Sequence, residues 1–425
     1  MRRRFIVALV IALVVGTIFS LINAATDKKN RDELYREVEL FSDSLAIIQS
    51  DYVDEVKPKD LIYGALKGML SSLDPHSQFL DPDTYNELKV DTEGKFGGIG
   101  IEITIKDGLL TVVTPIEDTP AWKAGIKAGD RIVKINNELT RDITLVDAVK
   151  KMRGKPGEAV NITILRESEK KLLDFKLVRD IIKIKDIKEA RILEDGIGYI
   201  RLVEFRENTP QDINTALEKL TKSGMNSLIL DLRNNPGGLL EVAVKVAEKF
   251  IPKEKLIVYT KGRYPSQNLE FISRSSHPIT NLPMVVLINE GSASGSEIVA
   301  ACLQDYKRAI IVGTKSFGKG SVQTLIPLSD GSALRLTTSK YFTPLGKVIH
   351  DKGVVPDIIA EEVKKEAIEP PEEKITKPQE IFEEIEKKEK AEKVEKPFDY
   401  KSDNQLMRAV DVLKALKLYK DIKSQ

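Results

Sequence analysis

The sequence predicts an α/β layer fold with a mainly parallel core and added antiparallel β-strands, preceded by a small β-rich domain and flanked by helical N- and C-terminal segments. Three observations carry this. Beyond Asp186, apolar strands alternate with amphipathic helices, the pattern of a sheet covered by helices. Between Phe96 and Arg179, short β-prone runs are broken by turn residues. At both ends, apolar residues recur at helical spacing.

A chain of 425 residues is too long for one ordinary core. Hydrophobic residues make up 41%, enough for globular cores, and the formal net charge of +1 gives no global electrostatic case for nucleic acid. Charged residues reach 31%, above the usual quarter, but much of the surplus sits in one tail. The single cysteine, Cys302, excludes an intrachain disulfide and lies in an apolar run, as a buried thiol would. His76, His277 and His350 are far apart and lack H-x-x-x-H spacing, so neither a zinc site nor any other cofactor is expected.

Arg2-Arg3-Arg4 precedes an apolar run from Phe5 to Ile22, so residues 1–25 are expected to be a signal peptide or a membrane anchor. Either way, the body of the chain is expected outside the cytoplasm, periplasmic or extracytoplasmic, because the arginines hold the N-terminus inside. Residues 26–95 are expected to be a helical N-terminal region. There Leu34, Val38, Phe41, Leu45, Ile48 and Tyr52 form a near-heptad seam suited to an oligomer contact or to packing on its own chain, the oligomer contact being favoured, and a shorter helix covers about Leu61 to Leu73. Asp74 to Pro82 is turn-rich.

Residues 96–180 form the small β-rich domain. Its expected strands are Ile99–Ile105, Leu109–Val113, Asp130–Ile135, Ala159–Arg166 and Lys171–Leu177, with helices near Ala121 and over Leu145–Met152. Residues 181–360 form the α/β core. Strands are expected at Ile197–Leu202, Ser227–Leu232, Pro283–Ile288 and Ala309–Val312, and helices at Thr209–Lys222, Leu239–Phe250 and Ser294–Gln304. Ser321–Leu328 and Ser332–Thr338 are the added antiparallel strands. Residues 361–400 are a Glu/Lys-rich linker. Residues 401–425 carry a C-terminal helix whose Leu406, Val410, Leu413 and Leu416 need an apolar partner.

Three segments point to chemistry. The strand ending at Ile288 runs through Gly291-Ser-Ala-Ser-Gly-Ser-Glu297 into a helix. Tiny residues let a substrate backbone approach, and a helix N-terminus offers free N–H groups, which suits a serine nucleophile; helix capping by serine is the plain alternative. In Phe317-Gly-Lys319-Gly320-Ser-Val-Gln323, a lysine sits between two glycines, and removal of side-chain bulk lets its stem thread into a packed site. A desolvated amine has a lowered pKa and accepts a serine proton, with Gln323 as a possible orienting acceptor. A phosphate loop does not fit, because Gly320 stands where G-K-[ST] needs a hydroxyl residue. In Asp231-Leu-Arg-Asn-Asn-Pro-Gly237-Gly238, a tight turn presents backbone amides suited to an oxyanion, or merely joins a strand to a helix.

These three motifs together resemble those of the C-terminal processing peptidases, also called tail-specific proteases, of the S41 type. The resemblance spans roughly Glu33 to Ile359. It implies an exported serine endopeptidase cutting protein substrates near their C-termini, with Ser294 as nucleophile, Lys319 as general base and Gln323 as its partner. The same resemblance implies oxyanion donors at Gly237 or Gly238 and at Gly295. Phe96-Gly97-Gly98-Ile99-Gly100 resembles the carboxylate-binding loop of PDZ domains, and Pro120 to Asp130 resembles a turn of bacterial PDZ modules. Arg153 matches a family arginine linked to sensing bound peptide. The expected partners are peptides with apolar C-termini, a second copy of the chain and, by analogy with some relatives, an adaptor protein. The alternative reading is an exported PDZ scaffold with an inactive protease fold.

Overall fold

A computed structural model of the chain describes residues 32–424, apart from 107, 117, 142, 167, 168, 170 and 364–399. The expected export segment and nearly all of the linker lie outside the described residues. Among the described residues, no helix is long and apolar enough to cross a membrane.

The chain divides into two compact units. The smaller comprises the described residues up to Asp81 together with Leu325–Leu336. Its first helix spans residues 32–51, and the expected seam is uncovered in the single chain: Leu34, Val38, Phe41, Ile48 and Tyr52 are all exposed. A second helix, Pro58–Ser71, starts at a proline that needs no N–H partner. Its Tyr63 packs on Phe79 at 4.7 Å between ring centroids and donates a hydrogen bond to Asp330 at 2.7 Å. The strand Gln78–Leu80 pairs antiparallel with Ala333–Arg335.

The larger unit comprises Pro82–Thr324 and Thr337–Gln425. A helix at Pro82–Glu93 leads into the β-rich domain. The domain's antiparallel sheet runs in the order Ile101–Lys106, Leu109–Pro115, Arg131–Ile135, Ala159–Arg166, Lys171–Val178. Helices Pro120–Lys123 and Leu145–Met152 contribute Ala121, Ala148 and Met152 to a core shared with Leu110, Ile132, Val160 and Ile164. Arg166 and Asp130, both buried, form a two-pronged ion pair at 2.8 and 2.7 Å. The chain enters and leaves the domain through adjacent strands, Lys95–Gly98 and Asp180–Lys183, paired antiparallel.

The second sheet runs Ile187–Ile192, Ile197–Leu202, Ser227–Asp231, Met284–Ile288, Ile310–Gly313, Ile358–Ile359. The first pair is antiparallel and every later pair parallel. Period-two alternation splits these apolar strands between two cores. Leu228, Leu230, Val286, Ile288 and Ile311 face helices Thr209–Lys222, Leu240–Ala247 and Gly295–Asp305. Ile229, Val285, Leu287 and Val312 face Leu406, Ala409, Val410 and Leu413 of the C-terminal helix Asn404–Ser424. The sheet is thus the partner that helix needed. Cys302 is fully buried, as its apolar run implied, and burial pushes its thiol pKa up.

Candidate active site

Three loops leave the carboxyl ends of neighbouring parallel strands, where ligands of open α/β sheets bind. They carry the three segments whose composition points to chemistry.

The first follows Ser227–Asp231. Asp231 is fully buried, accepts from the Tyr199 hydroxyl at 2.8 Å, and takes the Nε and Nη2 groups of Arg233 at 3.0 and 2.7 Å. Arg233 also donates to Asp403 and Gln405 at the start of the C-terminal helix. Burial raises the Asp403 pKa, but the bonds and charge of Arg233 outweigh it and leave this carboxyl below the ordinary aspartate range. The turn then passes through Asn234, at φ 56°, which exchanges two hydrogen bonds with Asn289 at 2.8 and 2.9 Å. Asn235 donates to the Leu202 carbonyl at 2.9 Å and accepts the Gly237 N–H at 2.9 Å.

That last bond separates the two glycines named as alternatives. The Gly237 N–H is already engaged inside the turn, so Gly238 is the better placed of the two glycines to offer a donor. Gly237 is there for a different reason. At φ 102° its backbone favours glycine, and a Cβ would stand 2.7 Å from the Ser294 Cβ.

The second loop follows Met284–Ile288 and is laced to the first. Ser292 donates to the Leu232 carbonyl at 2.8 Å and accepts the Asn289 N–H at 3.0 Å. Ser296 donates to the Asn235 carbonyl at 2.9 Å, and the Ala293 N–H reaches the same carbonyl at 3.0 Å. Both serines are fully buried and structural. Ser294 between them is half-buried and sits at φ 52°, ψ −111°, a conformation rare for a residue with a side chain. Ser294 directly precedes the helix Gly295–Asp305, so the Gly295 N–H is one of the helix's unpaired N-terminal donors.

The third loop follows Ile310–Gly313 and holds Lys319, half-buried. Its flanking glycines have a reason beyond threading the lysine stem: a Cβ on Gly320 would meet the His350 backbone nitrogen at 2.3 Å. Gln323 lies on the following strand, its amide nitrogen 2.9 Å from the Ser321 hydroxyl and 3.3 Å from that of Thr337.

Glu297 joins the second loop to the third. Fully buried, its Oε2 accepts the backbone N–H groups of both Ser294, at 2.8 Å, and Lys319, at 2.9 Å. Its Oε1 accepts the Gly318 N–H at 2.7 Å and the Ser316 hydroxyl at 2.6 Å. Burial raises its pKa, opposed by these four hydrogen bonds. Tyr341 ties the same two residues on the carbonyl side, lying 3.3 Å from the Ser294 oxygen and hydrogen-bonded to that of Lys319. Burial, then the Glu297 charge, hold its phenol protonated. Neither role is apparent from the sequence. Glu297 had a signal, since Ser294-x-x-Glu297 is a capping-box spacing. Helix capping and a catalytic serine, alternatives in the sequence, are compatible in the fold.

In the β-rich domain, Phe96, Gly98, Ile99, Gly100 and Arg153 line one cavity of about 80 Å³ with the apolar side chains of Ile101, Ile103, Val149 and Met152. The Arg153 guanidinium lies 4.4 Å from the Phe96 ring centre. Gly97 is not in the lining; its carbonyl accepts the Gly154 N–H at 3.1 Å.

The α/β layer with a mainly parallel sheet, behind a small antiparallel β-rich domain, is the architecture of a serine protease with a PDZ module. Family models match in the same order: the N-terminal domain of the activating protease CtpB at residues 19–84, a PDZ domain at 111–166 and peptidase family S41 at 196–360. The carboxy-terminal-processing protease of Bartonella bacilliformis is 45% identical over 337 residues, covering 78% of this chain and 77% of that protein. The carboxyl-terminal-processing protease of Picosynechococcus sp. is 39% identical over 307 residues, 71% and 73% of the two chains. Carboxy-terminal processing protease CtpB of Bacillus subtilis is 36% identical over 315 residues, 73% and 65%. Among solved structures, the photosystem II D1 C-terminal processing protease aligns with 76% of this chain and 92% of its own, at 30% identity and a TM-score of 0.44. The chain belongs to the carboxy-terminal-processing proteases of peptidase family S41, a serine protease class.

Proposed function

We propose that the chain cuts protein substrates near their C-termini, with Ser294 as nucleophile and Lys319 as general base. The observation that carries this is the single Glu297 oxygen accepting the backbone N–H groups of both residues, which brings two distant loops to one point. The neutral Lys319 amine takes the Ser294 proton as Oγ attacks the scissile carbonyl, and the resulting ammonium returns a proton to the leaving amine. Water then repeats the sequence on the acyl-enzyme. The ammonium needs an acceptor, and the Gln323 amide oxygen is assigned that role. The N–H groups of Gly238 and Gly295 are assigned to the oxyanion. Ser292 and Ser296 are poor alternatives to Ser294, because their hydroxyls are spent on buried carbonyls.

The PDZ cavity supports capture of a substrate tail. Backbone N–H groups of the Phe96–Gly100 loop would hold a carboxylate, and Ile101, Ile103, Val149 and Met152 suit an apolar last side chain. Arg153 would sense that occupant through Phe96. The exposed apolar seam of residues 32–51 supports self-association, which light scattering checks: a monomer at micromolar concentration rejects it. The basic and apolar N-terminus supports an extracytoplasmic location, either released or held by a membrane anchor, which fractionation checks.

The decisive experiment is cleavage of a peptide with an apolar free C-terminus. Ser294→Ala and Lys319→Ala should each lose at least about 10³-fold in kcat and stay folded. Ser292→Ala and Ser296→Ala should melt earlier but still cut. Full activity in Ser294→Ala sinks the assignment.

A further inference from the structure

We propose that Asp403, at the start of the C-terminal helix, is a positioning residue of the catalytic site: it fixes Arg233 and, through it, the turn that carries the oxyanion donor. This deepens the preceding reading and rests on its assignment of Ser294 and Gly238.

A guanidinium has five N–H donors in one plane. Each of the five in Arg233 has an acceptor. Asp231 takes the edge formed by Nε, at 3.0 Å, and Nη2, at 2.7 Å. Asp403 takes the edge formed by Nη1, at 3.0 Å, and Nη2, at 2.7 Å. The remaining Nη1 donor goes to Gln405 Oε1 at 3.0 Å. Asp231 alone balances the charge, so the second carboxylate adds orientation: two clasped edges leave the plane no freedom to rotate.

That orientation matters because Arg233 opens the turn leading to Gly238. The Arg233 N–H is itself held by Asp231 Oδ1 at 3.0 Å, and the next residue turns into the left-handed Asn234. Asn234 and Asn235 are the residues bonded to the serine loop, and Gly238 lies three residues past Asn235. A swing of Arg233 therefore displaces the start of a turn whose end must meet an oxyanion within tenths of an ångström. Asp403 is also firmly seated. Its Oδ1 accepts the Leu406 N–H at 2.9 Å, and Leu406, Val410 and Leu413 are buried against the sheet. Gln405 is anchored in turn, donating to the Ala360 carbonyl at 2.7 Å. A segment beyond the linker thus completes a loop some 170 residues earlier.

The test uses the full chain and one peptide substrate, with kcat, KM, melting temperature and the affinity of a peptide aldehyde, whose hemiacetal oxygen occupies the oxyanion position. Asp403→Asn keeps shape and removes the charge. It should lower kcat and aldehyde affinity by the same factor, about tenfold, and leave KM within about twofold. Asp403→Glu should recover part of the loss. Leu413→Ala loosens the same helix nearly three turns away and should lower the melting temperature with kcat unchanged. Full kcat in Asp403→Asn overturns the proposal, as does a loss in both variants that follows melting temperature alone. If Asp403→Asn fails to fold, Gln405→Met removes one Arg233 acceptor and should lower kcat about threefold; unchanged kcat there also overturns it. Ser294→Ala runs alongside: if it cuts, the reading of the site has failed, and if it is dead while Asp403→Asn is fully active, only the role of Asp403 has.

Discussion

Glu297 shows how much of a site can rest on a residue that need not touch substrate. Its two oxygens accept four hydrogen bonds, which only the ionised form can do. Glu297→Gln turns one acceptor atom into a donor facing donors and leaves two buried groups unpaired, each costing about 1–3 kcal/mol. The expected result is a kcat loss of about 10²-fold or more with modest change in KM. The raised pKa gives a pH signature of fixed sign. Burial favours the protonated form in the fold, so Glu297 lowers stability as pH rises from the ordinary glutamate value to its raised one. Activity moves the opposite way, because the four-bond clamp needs the carboxylate. Protonation of the Lys319 base already lowers kcat on the acid side, so Glu297 should add a second, steeper fall above the ordinary glutamate range, and only that added step should vanish in Glu297→Gln. Ser294 and Lys319 were legible as candidates because tiny neighbours and a glycine-flanked cation are unusual compositions. Glu297 offers only a capping-box spacing in the sequence, since nothing local says that both its oxygens reach a loop about twenty residues on.

At the scale of elements, the turn Asn234–Gly238 has no room for a single added methyl group at either of its glycines. In Gly237→Ala, the new Cβ meets the Ser294 Cβ and the Ala293 carbonyl at 2.7 Å, at a φ that costs roughly 1–3 kcal/mol. Relief of that clash must shift either the serine turn or the glycine turn, and both separate Ser294 from the Gly238 donor, so kcat should fall about 10²-fold while the fold survives; a near-native kcat would mean that the turn and Ser294 are not coupled. Elements with strong periodicity were legible. Leu145–Met152, Ala159–Arg166 and Thr209–Lys222 occupy the residues their patterns predict. The helix Pro82–Glu93 was not, because its sequence is rich in Asp, Thr and Asn and buries only Tyr85. Nor was the pairing of Lys95–Gly98 with Asp180–Lys183, since glycine-rich strands lack alternation and their partners lie some 85 residues away. Tertiary pairing creates that sheet, and no local pattern announces it.

For the whole molecule, the paired strands at the neck of the PDZ domain bear on how the proposed capture of a tail would reach the protease core. Arg206 donates to the Asp91 carbonyl at 2.8 Å, beside that neck, and pairs with buried Asp186 just after it. Its neighbour Phe205 hydrogen-bonds the Gly237 carbonyl at 2.8 Å. If the PDZ loop holds the tail's carboxylate, a free-acid peptide should exceed its C-terminally amidated twin in kcat/KM by at least about tenfold, the worth of one hydrogen bond to a charge. Equal rates would reject carboxylate recognition, and Arg153→Ala should narrow the gap. A last consequence concerns durability. The backbone of Ser294 sits at φ 52°, where glycine is at ease and serine is not. Holding it there costs of the order of 1–3 kcal/mol out of a total of about 5–15. The resting protein therefore carries a tax on its own lifetime, and a variant with glycine at that position should outlast the active form. Ser294→Gly should melt a few degrees above Ser294→Ala, which keeps the strain, even though glycine is the more flexible residue when unfolded. Random loss of the proposed nucleophile would then be rewarded with endurance, so selection for turnover must act continually to keep a serine in that place.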